Sequence, residues 1–412
     1  MISSARQSVG SISIRKLDPR RQPDYSHHVG GNPPASFKNP WLSFEGGSHG
    51  LLSVLKTRFS STRNFVPVPA NEDGTRSEEL VPIRKPDWGA GKPGLKATWI
   101  GHASFFVETS ASSGGPRGVR TFFDPVFSDR MSPVSFFGPK RFSPPPCSLD
   151  EVPEVDLVVI SHNHYDHMDS DTITRIHARG QGRVRFLCAL GVKQAYLGIG
   201  IPEEEIVELD WWDGVHITVN GVGEVNLTCT PSQHFSGRGI RDHGQALWCS
   251  WVLEELGSRA IDRQTDVSAA ATFESVPKTG KKMFFAGDTG YRSITSDPSI
   301  TDEDSLPHCP AFKEIGDLYG PFDLALLPIG CYLPRTFMSP VHCAPEDSVC
   351  IHKDIRSKKS IGMHYGTVRG GLSAEYEDVR EPPARWKRSC EKEGLKWGEE
   401  VGLCDLGETV VV

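Results

Sequence analysis

The run His162-Asn163-His164-Tyr165-Asp166-His167 places three imidazoles and a carboxylate within six consecutive residues. Imidazole and carboxylate without thiolate form a donor set that suits Zn(II) better than Fe or Mn. His162 and His164 point the same way along an extended loop, whereas Asp166 and His167 are carried round by the turn. The run therefore serves two neighbouring metals more readily than one. Each cation wants about four ligands, so further donors must come from elsewhere in the chain.

Three candidates stand where a strand-like segment gives way to a turn. His234 follows Leu227 to Gln233, Asp288 follows Met283 to Gly287, and His364 follows Ser360 to Met363. Strand ends along one edge of a sheet are where α/β folds assemble sites. Gly287 and Gly290 let the backbone turn closely around Asp288. The allotment that follows puts His162, His164 and His234 on one metal, Asp166, His167 and His364 on the other, with Asp288 as the bridge. Water held between two such cations becomes hydroxide near neutral pH, and the same cations offset charge growing on phosphorus, so phosphodiester hydrolysis is the natural chemistry. Asp124, at the end of Arg120-Thr121-Phe122-Phe123, is placed to accept a hydrogen bond from a ligating imidazole rather than to ligate. His102 reads as a buried, hydrogen-bonded histidine, with a place near the metals as the alternative.

The elements that must position these residues begin near Leu95. From there, apolar segments of three to six residues recur, each ending in a polar or glycine-rich turn. They cover 97–100, 104–107, 121–123, 156–160, 185–187, 225–229, 248–253, 282–286, 324–329 and 360–363. Helices are expected at Asp169 to Gly180, Gly191 to Leu197 and Pro345 to Lys353, the last opening with Pro345, Glu346 and Asp347, which suit a first helical turn. Interleaved strands and helices without a fixed repeat mean an α/β architecture. Residues 1–95 are rich in Pro, Gly, Ser and charge, and they read as an irregular arm whose first ~35 residues are disordered. Residues 96–412 form the catalytic domain, with a polar, patternless surface insertion at about 257–281.

The chain of 412 residues carries a net charge of -7, so it lacks the basic field of a dedicated nucleic-acid binder and no nucleic-acid partner is expected. Its 10 cysteines are scattered with no C-x-x-C pair, which reads as reduced thiols in an intracellular protein. The longest apolar runs fall far short of the ~20 residues of a membrane span, leaving peripheral contact as the route to a membrane. The first 17 residues hold Arg6, Arg15, Lys16, several Ser and no acidic residue, the composition of a weak mitochondrial presequence and equally of an ordinary N-terminus. Localisation is thus expected to be cytoplasmic with a mitochondrial alternative. A homodimer is compatible with the sequence.

The residues described resemble the metallo-β-lactamase superfamily in the order of their ligands: H-x-H-x-D-H, then His234, Asp288 and His364. Several stretches are more specific and resemble the N-acyl-phosphatidylethanolamine-hydrolysing phospholipase D family. They are Trp99 to Ser104, Asp124 to Ser128, Gly138 to Phe142, Ile160 to His167, Asp210-Trp211-Trp212, Gln233-His234, Ala286 to Tyr291 and His364 to Thr367. The likeness runs from about Asn39 to about Gly371. It implies a four-layer αββα sandwich and two Zn2+ ions on the seven ligands named above, with Asp166 and Asp288 also counted as catalytic. It further implies hydrolysis of N-acyl phosphatidylethanolamine to phosphatidic acid and an N-acylethanolamine at a membrane surface, with the phospholipid as partner. A further family histidine falls on His342, which either protonates the leaving alkoxide or orients the phosphate. Ser135 and Phe136 depart from the polar and tyrosyl residues that better-known animal members carry before Gly-Pro-Lys-Arg-Phe.

The segment Met131 to Phe142 mixes Phe136, Phe137 and Phe142 with Lys140 and Arg141, a composition that wets an anionic lipid surface, although aromatics more often belong to a core. Trp211 and Trp212 could line an acyl groove or pack. Two other functions stay beside the leading one: a hydrolase of the same fold acting on another phosphodiester, a lactone or nucleic acid, and a binding scaffold that keeps metals for stability.

Overall fold

Alternation of side chains across each strand separates the two faces of a sheet and assigns the layers. The computed structural model describes residues 10–44, 51–112, 115–239, 242–257, 279–295 and 302–412. Seven strands form one sheet, in spatial order Thr409–Val411, Lys96–Gly101, Ser104–Glu108, Arg120–Phe123, Leu157–Val159, Arg185–Ala189 and Ile206–Leu209. Eight form the other: Ile12–Lys16, Gly214–Val219, Gly223–Thr230, Ser250–Leu256, Thr279–Phe285, Leu324–Pro328, Ser360–Met363 and Val401–Gly402.

In the first sheet Phe105, Val107, Phe123, Leu157, Val159 and Leu187 enter the core shared with the second sheet. Their neighbours Phe106, Phe122, Val158 and Phe186 face the other way, joining Ile173 and Ile176 of helix Ser170–Gly180 and Tyr196 of helix Lys193–Gly198. Against the second sheet lie helices Ala311–Tyr319, Pro345–Asp354 and Glu381–Lys392, which contribute Phe312, Ile315, Val349, Ile351 and Trp386 to the shared core. The result is the four-layer αββα sandwich. Central strands buried on both faces read as unbroken apolar runs, as in Leu324–Pro328, where every residue is buried.

Arg120–Phe123, Leu157–Val159, Arg185–Ala189 and Ile206–Leu209 run parallel, as do Thr279–Phe285, Leu324–Pro328 and Ser360–Met363. Their C-terminal ends therefore open onto a common edge. No helix among the described residues is long and apolar enough to cross a membrane. All ten cysteines are unpaired.

Two expectations about the arm and the insertion need correction. Disorder does not extend to residue 35: Ile12–Lys16 is an edge strand, paired antiparallel from Ile12 with Val219 to Lys16 with Val215, and Ile12 and Ile14 pack on the core. One Ile-Ser-Ile alternation was too short to signal a strand by pattern; the partner strand supplies the stability. Residues 258–278 of the expected insertion lie outside the described residues, whereas Thr279 to Lys281 already belong to strand Thr279–Phe285. Helix Glu381–Lys392 also escaped the pattern because Pro382 and Pro383 look like breakers. They sit in its first turn, where no intrahelical N–H is required.

Candidate metal centre

Every expected ligand lies just past the C-terminal end of a strand: His162 to His167 after Leu157–Val159, His234 after Gly223–Thr230, Asp288 after Thr279–Phe285 and His364 after Ser360–Met363. Close packing demands special backbone at these turns. Gly287 has φ +59, and a Cβ there would fall 2.7 Å from Ser161 Cβ; one on Gly290 would fall 2.2 Å from the Pro340 carbonyl oxygen. Asp124, His102 and His364 hold left-handed φ values of 40, 52 and 64 degrees without being glycine. Such strain persists where surrounding contacts over-determine it, and it gathers at functional sites.

The seven expected ligands and His342 all meet in one buried cluster. Asp288 is at its centre, with Oδ1 2.8 Å from His364 Nε2 and Oδ2 3.2 Å from His167 Nε2. The same Oδ2 lies 3.7 Å from His234 Nε2, 3.9 Å from His162 Nε2 and 3.9 Å from His342 Nδ1. His164 Nδ1 lies 2.8 Å from His162 Nε2 and 3.4 Å from His234 Nε2. His162, His164 and His234 can present one atom each to a single cation, as can Asp166, His167 and His364 with His102. Asp288 forms such groups with His162 and His167 and with His234 and His342.

Charge and hydrogen bonding both fit divalent cations. Burial first, and then the neighbouring histidines, push the His162 imidazole far below its ordinary range; burial also pushes His164 down and holds His234 at about 4. These rings are neutral and offer lone pairs. Burial would raise the Asp288 carboxyl, but His167 and His364 outweigh it and hold it well below the usual carboxylate range. Both Asp288 oxygens, His167 Nε2, both nitrogens of His364, His342 Nδ1 and His102 Nδ1 are buried with no aligned hydrogen-bond partner. Buried polar atoms are nearly always paired, so crowding of this kind marks donors arranged around cations.

The orienting contacts are equally specific. His167 Nδ1 lies 2.7 Å from Asp124 Oδ2, and Asp124 also accepts from the Ser161 backbone N–H at 2.7 Å and the Ser161 hydroxyl at 2.6 Å. His162 Nδ1 lies 2.9 Å from Ser161 Oγ, His234 Nδ1 lies 2.8 Å from the Val341 carbonyl oxygen, and His164 Nε2 lies 3.2 Å from that of Gly237.

His102 is buried and hydrogen-bonded as expected, and it also lies beside the candidate metal ligands, its Nε2 3.2 Å from Asp166 Oδ2 and its ring 4.0 Å from that of His364. Arg238 was missed: its Nη2 donates to Asp166 Oδ1 at 2.9 Å. An arginine in a Gly-Arg-Gly loop carries no spacing signal. Trp211 and Trp212 do not line an acyl groove here; both are buried, and Trp211 donates its Nε1–H to the Trp248 carbonyl at 2.7 Å. The core reading fails for Phe136 and Phe137, which are 81% and 74% exposed, whereas Phe142 is partly buried.

Comparison with known proteins agrees with this geometry. A Beta-lactamase superfamily domain matches residues 120–365. N-acyl-phosphatidylethanolamine-hydrolyzing phospholipase D 1 of Caenorhabditis elegans is 33% identical over 351 residues, spanning 84% of this chain and 83% of the worm protein. The chain belongs to this phospholipase D family within the metallo-β-lactamase superfamily. The mitochondrial N-acyl-phosphatidylethanolamine-hydrolyzing phospholipase D of Saccharomyces cerevisiae is 29% identical over 387 residues, 85% of this chain and 69% of the yeast protein. A Veillonella parvula structure described as a possible metal-dependent hydrolase shares the fold, with TM-score 0.50 over 78% of this chain and 100% of that one, at 13% identity. The family member described here is a metal-dependent hydrolase.

Proposed function

We propose that this chain is a two-zinc phosphodiesterase of phospholipase D type that cleaves N-acyl phosphatidylethanolamine into phosphatidic acid and an N-acylethanolamine. The observation that carries this reading is the central carboxylate: Asp288 faces both groups of histidines, as a bridge between two cations must. One cation would rest on His162, His164 and His234, and the other on Asp166, His167 and His364. Two bound cations supply a nucleophilic hydroxide near neutral pH and offset the charge of the phosphodiester.

The protein's own groups do the rest. Asp124 holds His167 by its Nδ1, leaving Nε2 directed at Asp288. Arg238 steadies Asp166 from the solvent side. His342 presents a buried, unpaired Nδ1 at the centre. Burial holds its ring neutral, well below the ordinary histidine range. From that position it can act on the leaving alkoxide or hydrogen-bond a phosphate oxygen.

The lipid part of the proposal is supported by the loop that displays Phe136 and Phe137. Arg141 pairs with Val368 in an isolated antiparallel bridge, and the Phe142 N–H donates to the Thr367 carbonyl at 3.0 Å, so the loop is rooted beside His364. Exposed aromatics with Lys140 close by would enter a lipid interface next to the site.

The test is to count metal per purified chain and follow N-acylethanolamine release from N-acyl phosphatidylethanolamine vesicles. Turnover with about two zinc ions per chain is expected, and no release by fully zinc-loaded protein would overturn the proposal. A double Phe136→Ser, Phe137→Ser variant is expected to lose vesicle binding while still cleaving detergent-dispersed substrate. Unchanged vesicle binding would remove the loop from the membrane contact.

A further inference from the structure

The N-terminal arm runs behind one ligand of the centre. Asn39 donates its Nδ2–H to the backbone carbonyl of His234 at 2.8 Å. Ser43 donates its hydroxyl to Gln233 Oε1 at 2.5 Å, and Ser293 donates to the Ser43 carbonyl at 2.6 Å. Gln233 in turn donates Nε2–H to the Pro340 carbonyl at 2.9 Å, one residue before the Val341 carbonyl that faces His234 Nδ1. The backbone carrying His234 is thus fixed from the arm on one side and from the loop of His342 on the other.

Asn39 is held firmly enough to position something else. Two residues on, Trp41 stacks on Trp211 with ring centroids 5.3 Å apart and planes 10° from parallel. The other amide atom, Asn39 Oδ1, is buried without a partner. Leaving a buried acceptor unmade is costly, and the reverse orientation would set two oxygens against each other, so the amide is kept for its N–H. The orienting contacts of the second metal group come from elsewhere: His167 relies on Asp124, for example.

We propose that Asn39 is a positioning residue for His234, so that the arm selectively tightens the metal position formed by His162, His164 and His234. This rests on the two-metal reading above. Partners that fix a metal-bound side chain typically contribute 10- to 100-fold in affinity, and Asn39 fixes the backbone that carries one such side chain.

The experiment uses the full chain, zinc-loaded, titrated with a chelator of known affinity while zinc per chain is counted. Cobalt-substituted protein provides an absorption spectrum for each equivalent. For Asn39→Ala, one equivalent should be released at a free-zinc concentration about tenfold or more higher than in the wild type, with the other equivalent unchanged. If the alanine variant does not fold, Asn39→Ser, too short to reach the carbonyl, should show the same selective loss. Equal loss of both equivalents, or no change in either, would overturn the proposal. A wild-type chain that binds no metal would instead sink the two-metal reading.

Discussion

Among the described residues, two clusters bring imidazoles and a carboxylate close enough to share a cation, and only one of them is built for metal. In the arm, His27 Nε2 lies 2.7 Å from Asp210 Oδ1 and His28 Nε2 lies 2.8 Å from Asp210 Oδ2, while the Trp211 N–H donates to Oδ1 at 2.8 Å. These atoms are near enough to share a cation, as are those of the centre. Yet every carboxylate oxygen of Asp210 has its hydrogen, whereas both oxygens of Asp288 lack an aligned partner. Donor proximity alone does not define a metal site; unmet hydrogen-bonding capacity does. The arm cluster is a clasp, with His27 stacked 4.2 Å from Trp211.

The contrast can be broken or sharpened by substitution. The largest effect is expected for Asp288→Asn, which removes the central charge: turnover should fall on the order of a thousandfold or more, about 4 kcal/mol of barrier, with fewer metals per chain. A variant with full rate and full metal content would remove Asp288 as the bridge. Asp124→Asn comes next and should weaken metal binding about 10- to 100-fold, read by chelator competition, because His167 loses the carboxylate that orients it. Smaller still is a His27→Gln, His28→Gln double variant. Its urea midpoint should drop by an amount equivalent to about 1–3 kcal/mol while metal per chain stays constant. Loss of one metal equivalent there would make the clasp a third metal site.

The clasp should also respond to acid. Burial would raise the Asp210 carboxyl, but the hydrogen bond from His27 and the charges of both histidines outweigh it and hold it below its ordinary value. A depressed carboxyl contributes stability above its unfolded pKa, and that contribution fades as pH falls through the folded value. Denaturation of wild type and Asp210→Asn should therefore differ at neutral pH and converge below about pH 4. A gap that widens in acid would contradict the clasp.

The central strands were legible where they are buried on both faces: Ser360–Met363, which carries His364, coincides with its apolar run, and Leu324–Pro328 ends within one residue of its own. Ile12–Lys16 and Gly214–Val219 were not, since an edge strand and the neighbour it pairs with depend on that pairing for their identity. Asp124 was placed correctly as an orienting carboxylate because its strand end predicted its neighbourhood. Arg238 and Asn39 sit in glycine- and proline-flanked segments whose path no periodicity specifies.

Local alternation and apolar runs were enough for an α/β architecture and for drawing the candidate ligands from strand ends, whereas the αββα layering came from the family resemblance. Only the tertiary structure decided which histidines remain unpaired, that His102 stands beside Asp166, and that the arm reaches His234. Those outcomes depend on contacts between residues far apart in the chain, 195 positions in the case of Asn39 and His234, and hydrogen-bond satisfaction is a property of the packed neighbourhood rather than of any stretch of chain.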